Sequence, residues 1–205
     1  MLRTQAIVLS IQSYRERDDV CTFFTKDFGK RRILVRGTKR LRSKLAPFLH
    51  DIAVLDCTFV EGAHFPVLTG VDTLHASTSC KKNTGTLLYT HAFLELCDSL
   101  MYEGQEDPQL WRLCTRVLAE AAQTGEKDFG VVYEKWLWNL LATLGLCPVL
   151  QEQKRTSSLL NQLFQEYCNV QPFAWLTAYN LQPTASIRSS DVAGLAKEDN
   201  LNLWY

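Results

Sequence analysis

The sequence lacks any uncharged apolar run of about 18 residues, the length that a membrane-spanning helix needs. Its most apolar stretch, residues 131–150, is interrupted by Glu134 and Lys135. Residues 1–11 contain an apolar segment that is too short for the core of a secretory leader, and no small-residue cleavage site follows it. We therefore expect a cytoplasmic protein without a membrane span.

The seven cysteines form no CxxC pair, are widely spaced and are odd in number. None has histidine neighbours at the spacing of zinc ligands. This pattern is typical of small buried side chains in a reducing compartment. We predict no metal and no cofactor; a metal site built from residues distant in the sequence stays open as the alternative.

Motifs for nucleotide or acyl chemistry are also missing, since the sequence has no GxGxxG, GxxxxGK[ST] or GxSxG. Asp-Phe-Gly occurs at 27–29 and 128–130. The other parts that phosphoryl transfer needs are absent, so we interpret these as a hairpin turn and a helix start. His91 and Glu95 have a helical spacing that reflects packing far more often than acid–base catalysis. We assign no catalytic residue and predict that the protein is not an enzyme.

Positive charge is concentrated at the start of the chain. Residues 1–50 hold twelve Lys and Arg against four Asp and Glu, a net charge of +8, and the remaining residues carry −8. Between Lys26 and Lys44, nine cations oppose only Asp27. Such a cluster indicates a surface for phosphates, whose neutralisation releases counterions. An ordinary solvated loop is the alternative.

The first 75 residues show the alternation of short strands. In residues 31–37 a period of two places Arg32, Leu34 and Arg36 on one face and Ile33 with Val35 on the other. Five short strands favour a small OB-type barrel over a sandwich. The predicted strands are residues 4–11, 20–25, 31–37, 51–60 and 65–74.

Helical periodicity replaces this pattern after residue 79. The first helix is apolar almost all round and should lie inside the helical domain, and the third carries a wide apolar stripe. The predicted helices are residues 84–104, 108–125, 129–145 and 157–168, with an uncertain fifth at 172–181 and a poorly specified tail. The fold class is therefore α+β: a five-stranded OB-type barrel at 1–78, then an all-α helical domain at 79–205.

The first 50 residues contain four short motifs: a Tyr-Arg-Glu-x-Asp turn at 14–18, a Phe-Thr-x-x-x-Gly-Lys hairpin at 24–30, Arg-Gly at 36–37 and a Ser-Lys-Leu-x-Pro exit at 43–47. Together these motifs resemble the RecO family of bacterial recombination mediators, and the resemblance covers about residues 1–150. Residues 144–148 are similar to the family's Leu-Gly-aromatic-x-Pro ending. Many members continue with a four-Cys zinc ribbon, but no Cys follows here until Cys168. We expect that module to be absent or degenerate.

The resemblance implies a cytoplasmic, nucleoid-associated protein that binds single- and double-stranded DNA and anneals complementary strands. It would help RecA, through RecR, to replace single-strand-binding protein, whose acidic, Phe-terminated tail the helical domain would receive. The implied DNA-binding residues are Lys30, Arg31, Arg32, Arg36, Lys39, Arg40, Arg42 and Lys44, with Arg15 and Arg17 as weaker candidates. Tyr14 and Phe28 are candidates for base stacking. Candidates for the tail site are Arg112, Arg116, Lys127 and Lys135, with plain solvated helix faces as the alternative.

Two other functions stay open. A basic OB barrel also suits an RNA-binding or ribosome-associated protein, although such a module would not need a net-acidic helical platform. A pure interaction scaffold is the third hypothesis. Loss of DNA binding with retention of partner binding distinguishes that case.

Overall fold

The computed structural model describes residues 1–49, 52–76, 84–123, 129–146 and 157–169. The strands are β1 (Leu2–Ser13), β2 (Asp19–Thr25), β3 (Gly29–Val35), β4 (Ala53–Val60) and β5 (Val67–Ala76). The helices are α1 (Ala46–Leu49), α2 (Thr84–Leu100), α3 (Pro108–Gln123), α4 (Phe129–Thr143) and α5 (Ser157–Leu163), which continues as a π-helical turn, Phe164–Cys168.

The five predicted strands and the first four predicted helices are confirmed. The short helix α1 was not predicted, because four residues are too few to show a helical period. The predicted fifth helix and the tail after it lie outside the described residues.

The five strands form a closed barrel in the order β1-β2-β3-β5-β4. All pairings are antiparallel except a parallel contact between β3 and β5, where Leu34 lies opposite Val67. Strand β1 pairs with both β2 and β4, which closes the ring. This Greek-key order confirms the predicted OB-type barrel.

The barrel core follows from the alternation of side chains along each strand. On β3, Ile33 and Val35 are completely buried while Arg32 is exposed, as predicted. Cys21 and Cys57 also lie in the core, and burial raises the pKa of each thiol to about 12. These two cysteines are therefore neutral packing residues.

Contacts between residues divide the chain into two compact units. The barrel unit comprises residues 1–78 and 101–118, and the helical unit comprises residues 79–100 and 119–205. The division falls within α3, whose first part belongs to the barrel unit. The division at residue 78 drawn from the sequence stays a prediction.

Residues 101–118 join the barrel through the outer face of the β2–β3 hairpin. Phe24 points away from the core, is completely buried, and packs edge-on against Trp111 with 5.5 Å between ring centroids. The Gly104 N–H donates to the Lys30 carbonyl over 2.8 Å. Glu103 pairs with Lys30 as an isolated parallel bridge. The segment therefore covers the outer face of the hairpin and adds one isolated bridge to β3.

The β2–β3 turn is built to accept this segment. The Thr25 hydroxyl donates to the Gly29 carbonyl over 2.7 Å and accepts from the Phe28 N–H over 3.2 Å. Gly29 has a φ of +63°, and a Cβ there would lie 2.0 Å from the Gln105 carbonyl oxygen. Asp27-Phe28-Gly29 is thus a turn, as predicted, whose glycine leaves room for another backbone.

The helical unit packs around aromatic side chains. Tyr89 on α2 lies 5.2 Å from Tyr133 on α4, and Phe93 lies 5.9 Å from Trp136, measured between ring centroids. All four side chains are buried, with Trp136 donating from its ring N–H to Glu120 over 2.9 Å. The interior position of α2 and the apolar stripe of α4 are therefore confirmed.

We expect Gly29→Ala to lower the free energy of unfolding by about 4 kcal/mol or more, because the new methyl group meets a fixed backbone carbonyl. Gly104→Ala is the matched control. Gly104 has a φ of +75° but open space around its Cβ position, so only the left-handed backbone is penalised, by about 1–2 kcal/mol. Urea denaturation measures the free energy of unfolding of both variants. Equal losses of stability would contradict a clash between the new methyl group at position 29 and the Gln105 carbonyl.

Candidate nucleic-acid interface

The loop between β1 and β2, residues 14–18, is folded around Asp18. The Asp18 carbonyl accepts the N–H groups of Tyr14 and Arg15 over 3.2 and 3.1 Å. Its carboxylate accepts the N–H of Gly37 over 2.8 Å. Gly37 has a φ of +71° and begins the turns that follow β3. Asp18 therefore ties the β1–β2 loop to the segment of residues 36–45, here called the basic loop.

Lys39 connects the same two loops through its side chain. Its ammonium lies 3.4 Å from the Asp19 carboxylate and donates to the Arg15 carbonyl over 3.0 Å. It also donates to the Ser13 hydroxyl. Three internal partners thus occupy the donors of Lys39, so its predicted contact with DNA stays a prediction and its observed contacts are structural.

Four cations of the basic loop extend into solvent. Arg36, Arg40, Arg42 and Lys44 are all exposed. Within the part of the chain that the structure describes, no carboxylate forms an ion pair with them. The backbone beneath them is ordered by the Ser43 N–H donating to the Arg40 carbonyl over 2.9 Å. The Ser43 hydroxyl then accepts the Ala46 N–H at the start of α1, over 3.3 Å.

Two guanidinium groups and two rings form a row beside this loop. The Arg15 guanidinium lies 5.1 Å from the Tyr14 ring, and that ring meets Phe65 edge-on with 5.7 Å between centroids. The Arg32 guanidinium lies 5.2 Å from the Phe65 ring. The row crosses the β1–β2 loop, β3 and the β4–β5 loop, which are the elements that OB barrels use to hold ligands.

Tyr14 is 41% exposed in this row, so part of its side chain is accessible to a ligand. Phe65 is half-buried, and sequence reasoning missed it. An aromatic residue in the β4–β5 loop of a predicted OB barrel was the available signal.

Near the Gly29 end of β3, Arg31 is half-buried, whereas Arg32 is exposed. Arg31 lies on the same inward face of β3 as Ile33, and its Nε is buried without a hydrogen-bond partner in the structure. Its guanidinium lies 5.9 Å from the Phe28 ring, which itself packs edge-on against Phe59 of the barrel core. The structure therefore does not bring Arg31 and Phe28 into the row formed by Tyr14 and Arg32.

Lys30 and Arg17 also take part in backbone contacts. The Lys30 carbonyl accepts the Gly104 N–H, and the Arg17 carbonyl accepts the Thr38 hydroxyl and the Lys39 N–H, each over 3.5 Å. The Arg17 side chain is exposed and that of Lys30 is partly exposed. Both remain candidates for phosphate contacts.

The cations predicted for the partner tail do not share one unit. Arg112 and Arg116 are exposed on the part of α3 that belongs to the barrel unit. Lys135 belongs to the helical unit and pairs with Glu120 over 3.5 Å. Lys127 lies outside the described residues.

Arg112 lines an open pocket of about 350 Å³ in the barrel unit. The pocket combines an apolar surface with charges of both signs. Its lining residues are Lys26, Asp27, Glu106, Pro108, Trp111 and Arg112.

His91 and Glu95, the ionisable pair singled out by its helical spacing, both lie on α2. Burial lowers the pKa of His91 to about 4, and burial with Asp98 raises the pKa of Glu95, so both groups are driven towards their neutral forms. The stretches that the structure describes contain no cluster of His, Cys, Asp or Glu that could hold a metal ion. None of the described helices is long and apolar enough to cross a membrane.

A closed barrel with exposed cations and rings at its loops defines the class of OB-barrel binding proteins. Residues 1–76 match the family described as recombination protein O N terminal, and residues 82–167 match recombination protein O C terminal. The chain belongs to the recombination protein O family, as its motifs predicted.

Curated relatives carry the name DNA repair protein RecO. The Syntrophomonas wolfei protein is 29% identical over 149 residues, which cover 73% of this chain and 59% of that protein. The Geobacter metallireducens protein is 30% identical over 59% of this chain and 50% of its own length. The Listeria monocytogenes protein is 25% identical over 74% of this chain and 59% of its own length. The chain thus spans between half and three fifths of the length of these relatives.

We expect Lys39→Ala to lower the free energy of unfolding by about 1 kcal/mol, because it removes the ion pair and hydrogen bonds that join the two loops. Arg42→Ala is the control, since Arg42 is exposed in the same loop, and its effect should stay below about 0.5 kcal/mol. Urea denaturation of the two variants tests this assignment. A larger loss for Arg42→Ala would show that Lys39 does not join the loops.

Proposed function

We propose that this chain is a non-catalytic, DNA-binding mediator of recombinational DNA repair, acting on the bacterial nucleoid. The observation that carries the proposal is the exposed, unpaired set Arg36, Arg40, Arg42 and Lys44 on a hydrogen-bonded loop. The name DNA repair protein RecO, borne by the relatives, supports DNA as the ligand.

The geometry favours binding that does not depend on base sequence. Exposed guanidinium and ammonium groups neutralise phosphates, and each neutralised phosphate releases counterions. The exposed Tyr14 side chain is the candidate for base stacking, and stacking tolerates any base because every base has a π-face. A single strand would therefore lie along the row from Arg15 to Arg32, with its backbone near the basic loop.

Annealing of complementary strands follows from the same charges. A cationic surface that holds two strands reduces their phosphate repulsion and raises their local concentration. We propose RecR and single-strand-binding protein as the partners of this activity, with RecA involved indirectly. The DNA strands would be held only by phosphate contacts and base stacking. Annealing therefore breaks no covalent bond in the DNA.

The pocket beside Arg112 is our candidate for the acidic, Phe-terminated tail of single-strand-binding protein. Trp111 and Pro108 offer apolar surface to a phenyl ring, and Lys26 and Arg112 supply two cations for carboxylates. The Asp27 carboxylate already accepts the Thr4 hydroxyl over 2.6 Å. Because Glu106 also lines the pocket, the carboxylates of the tail would have to lie against Lys26 and Arg112.

We expect the triple substitution Arg36→Gln, Arg40→Gln and Arg42→Gln to weaken binding of single- and double-stranded DNA across all sequences. The plot of log affinity against log salt should flatten by about 0.7 per lost contact on single strands, or about 2 for all three. Fluorescence anisotropy at several salt concentrations, with RNA of the same sequence as a third ligand, measures this. Lys39 is left intact because it holds the loops together.

The matched control carries Arg112→Gln, Arg116→Gln and Lys135→Gln, which remove the same net charge from the helices. This variant should keep the wild-type salt slope. Equal slopes for both triple variants would contradict a localised site in the basic loop, and a marked preference for RNA would contradict DNA as the ligand.

We expect Arg112→Glu to weaken binding of an acidic peptide ending in Phe by about tenfold or more, because a charged contact is replaced by repulsion. Arg116→Glu is the control, since it lies on the same helix and is exposed but does not line the pocket. Calorimetric titration of the peptide measures both. If only Arg116→Glu lost affinity, the pocket would not be the tail site.

A further inference from the structure

Leu41 is the most exposed large apolar side chain among the described residues. Its relative exposure is 106%, compared with 40% for Leu74 on β5. Single exposed leucines are common on protein surfaces, so exposure alone indicates no function. The position of Leu41 in the basic loop, between Arg40 and Arg42, distinguishes it.

The backbone holds Leu41 at the tip of two successive turns. The Arg40 N–H donates to the Gly37 carbonyl over 3.3 Å, and the Ser43 N–H donates to the Arg40 carbonyl over 2.9 Å. Leu41 and Arg42 are therefore the central residues of the second turn. Gly37 is bound to Asp18 at one end, and Ser43 is bound to the start of α1 at the other. The side chain is held away from the protein by this frame.

The charge around Leu41 indicates which ligand would cover it. Both sequence neighbours are exposed arginines, and Arg36 and Lys44 lie in the same loop. A DNA strand that contacts these cations through its phosphates would bring its bases next to the Leu41 side chain. Proteins that insert Leu, Ile or Phe between base steps combine the same two elements, cations for the backbone and an apolar wedge for the stack.

We propose that Leu41 inserts between adjacent bases of the DNA held by the basic loop and unstacks that step. The inference rests on the proposed function and assigns a role to a residue that makes no phosphate contact. Unstacking costs least where bases are already unpaired or mismatched, so the preferred substrate class is a junction between single and double strand. Such insertion would keep bases open for exchange between strands.

The experiment uses junction DNA with 2-aminopurine, whose fluorescence rises on unstacking, at the last paired step. Wild-type protein should raise the fluorescence, and Leu41→Ala should abolish the rise and lower affinity for the junction about fivefold. The salt slope of Leu41→Ala should match wild type, because no phosphate contact is lost. Leu41→Phe should retain the fluorescence rise.

Leu74→Ala is the control, since it removes an exposed leucine outside the basic loop and should behave as wild type. Urea denaturation should give Leu41→Ala and wild type the same midpoint, because the lost side chain is exposed. Equal fluorescence with Leu41→Ala and wild type would overturn the wedge while salt-sensitive binding still supported the proposed function. Absence of any DNA binding by wild type would overturn both.

A membrane surface is the other polyanion that could take an apolar tip between arginines. Vesicles containing anionic phosphatidylglycerol provide the comparison. If Leu41→Ala weakened vesicle binding and left junction DNA unaffected, insertion between bases would be wrong. Loss confined to junction DNA supports the wedge.

Discussion

The candidate interface depends on how the barrel closes at Leu34. The Leu34 N–H donates to the Pro66 carbonyl over 2.8 Å, and Leu34 pairs in parallel with Val67. Because this contact brings the β4–β5 loop onto β3, the Phe65 ring lies against Arg32 and Tyr14. Closure satisfies backbone groups that would be free at a sheet edge, and the same closure assembles residues far apart in the sequence.

The motif residues behind the family resemblance act largely on the backbone. Thr25 and Gly29 shape a turn that another segment approaches closely, and Asp18 holds Gly37 at the start of the basic loop. The observed contacts of these three residues are with backbone groups. They fix the positions of neighbours such as Tyr14 and Arg36, which are exposed. A motif can thus identify a binding family through the residues that position its loops.

The sequence was sufficient to predict the strands, the helices α2 to α5 and the OB-type barrel, because periods of two and 3.6 are local properties. The sequence did not predict the contact between Phe65 and Arg32, because barrel closure determines the neighbours of Phe65. It also did not predict the ion pair between Lys39 and Asp19, because that pair depends on two loops meeting. Arg31 is a different case. The alternation that correctly placed Arg32 outside also places Arg31 on the inward face, but the charge of the run outweighed that signal.

The basic loop concentrates like charges, which repel one another and oppose a compact loop. Asp18 and Asp19 offset this repulsion at the base of the loop, through Gly37 and Lys39, and leave the cations at its tip unpaired. A polyanion would supply the missing negative charge. A ligand that binds only the folded state stabilises that state, so a polyanion would offset the repulsion within the loop. Attraction between arginines and phosphates acts over a longer range than an apolar contact, so electrostatic binding by the arginines would come before insertion of Leu41.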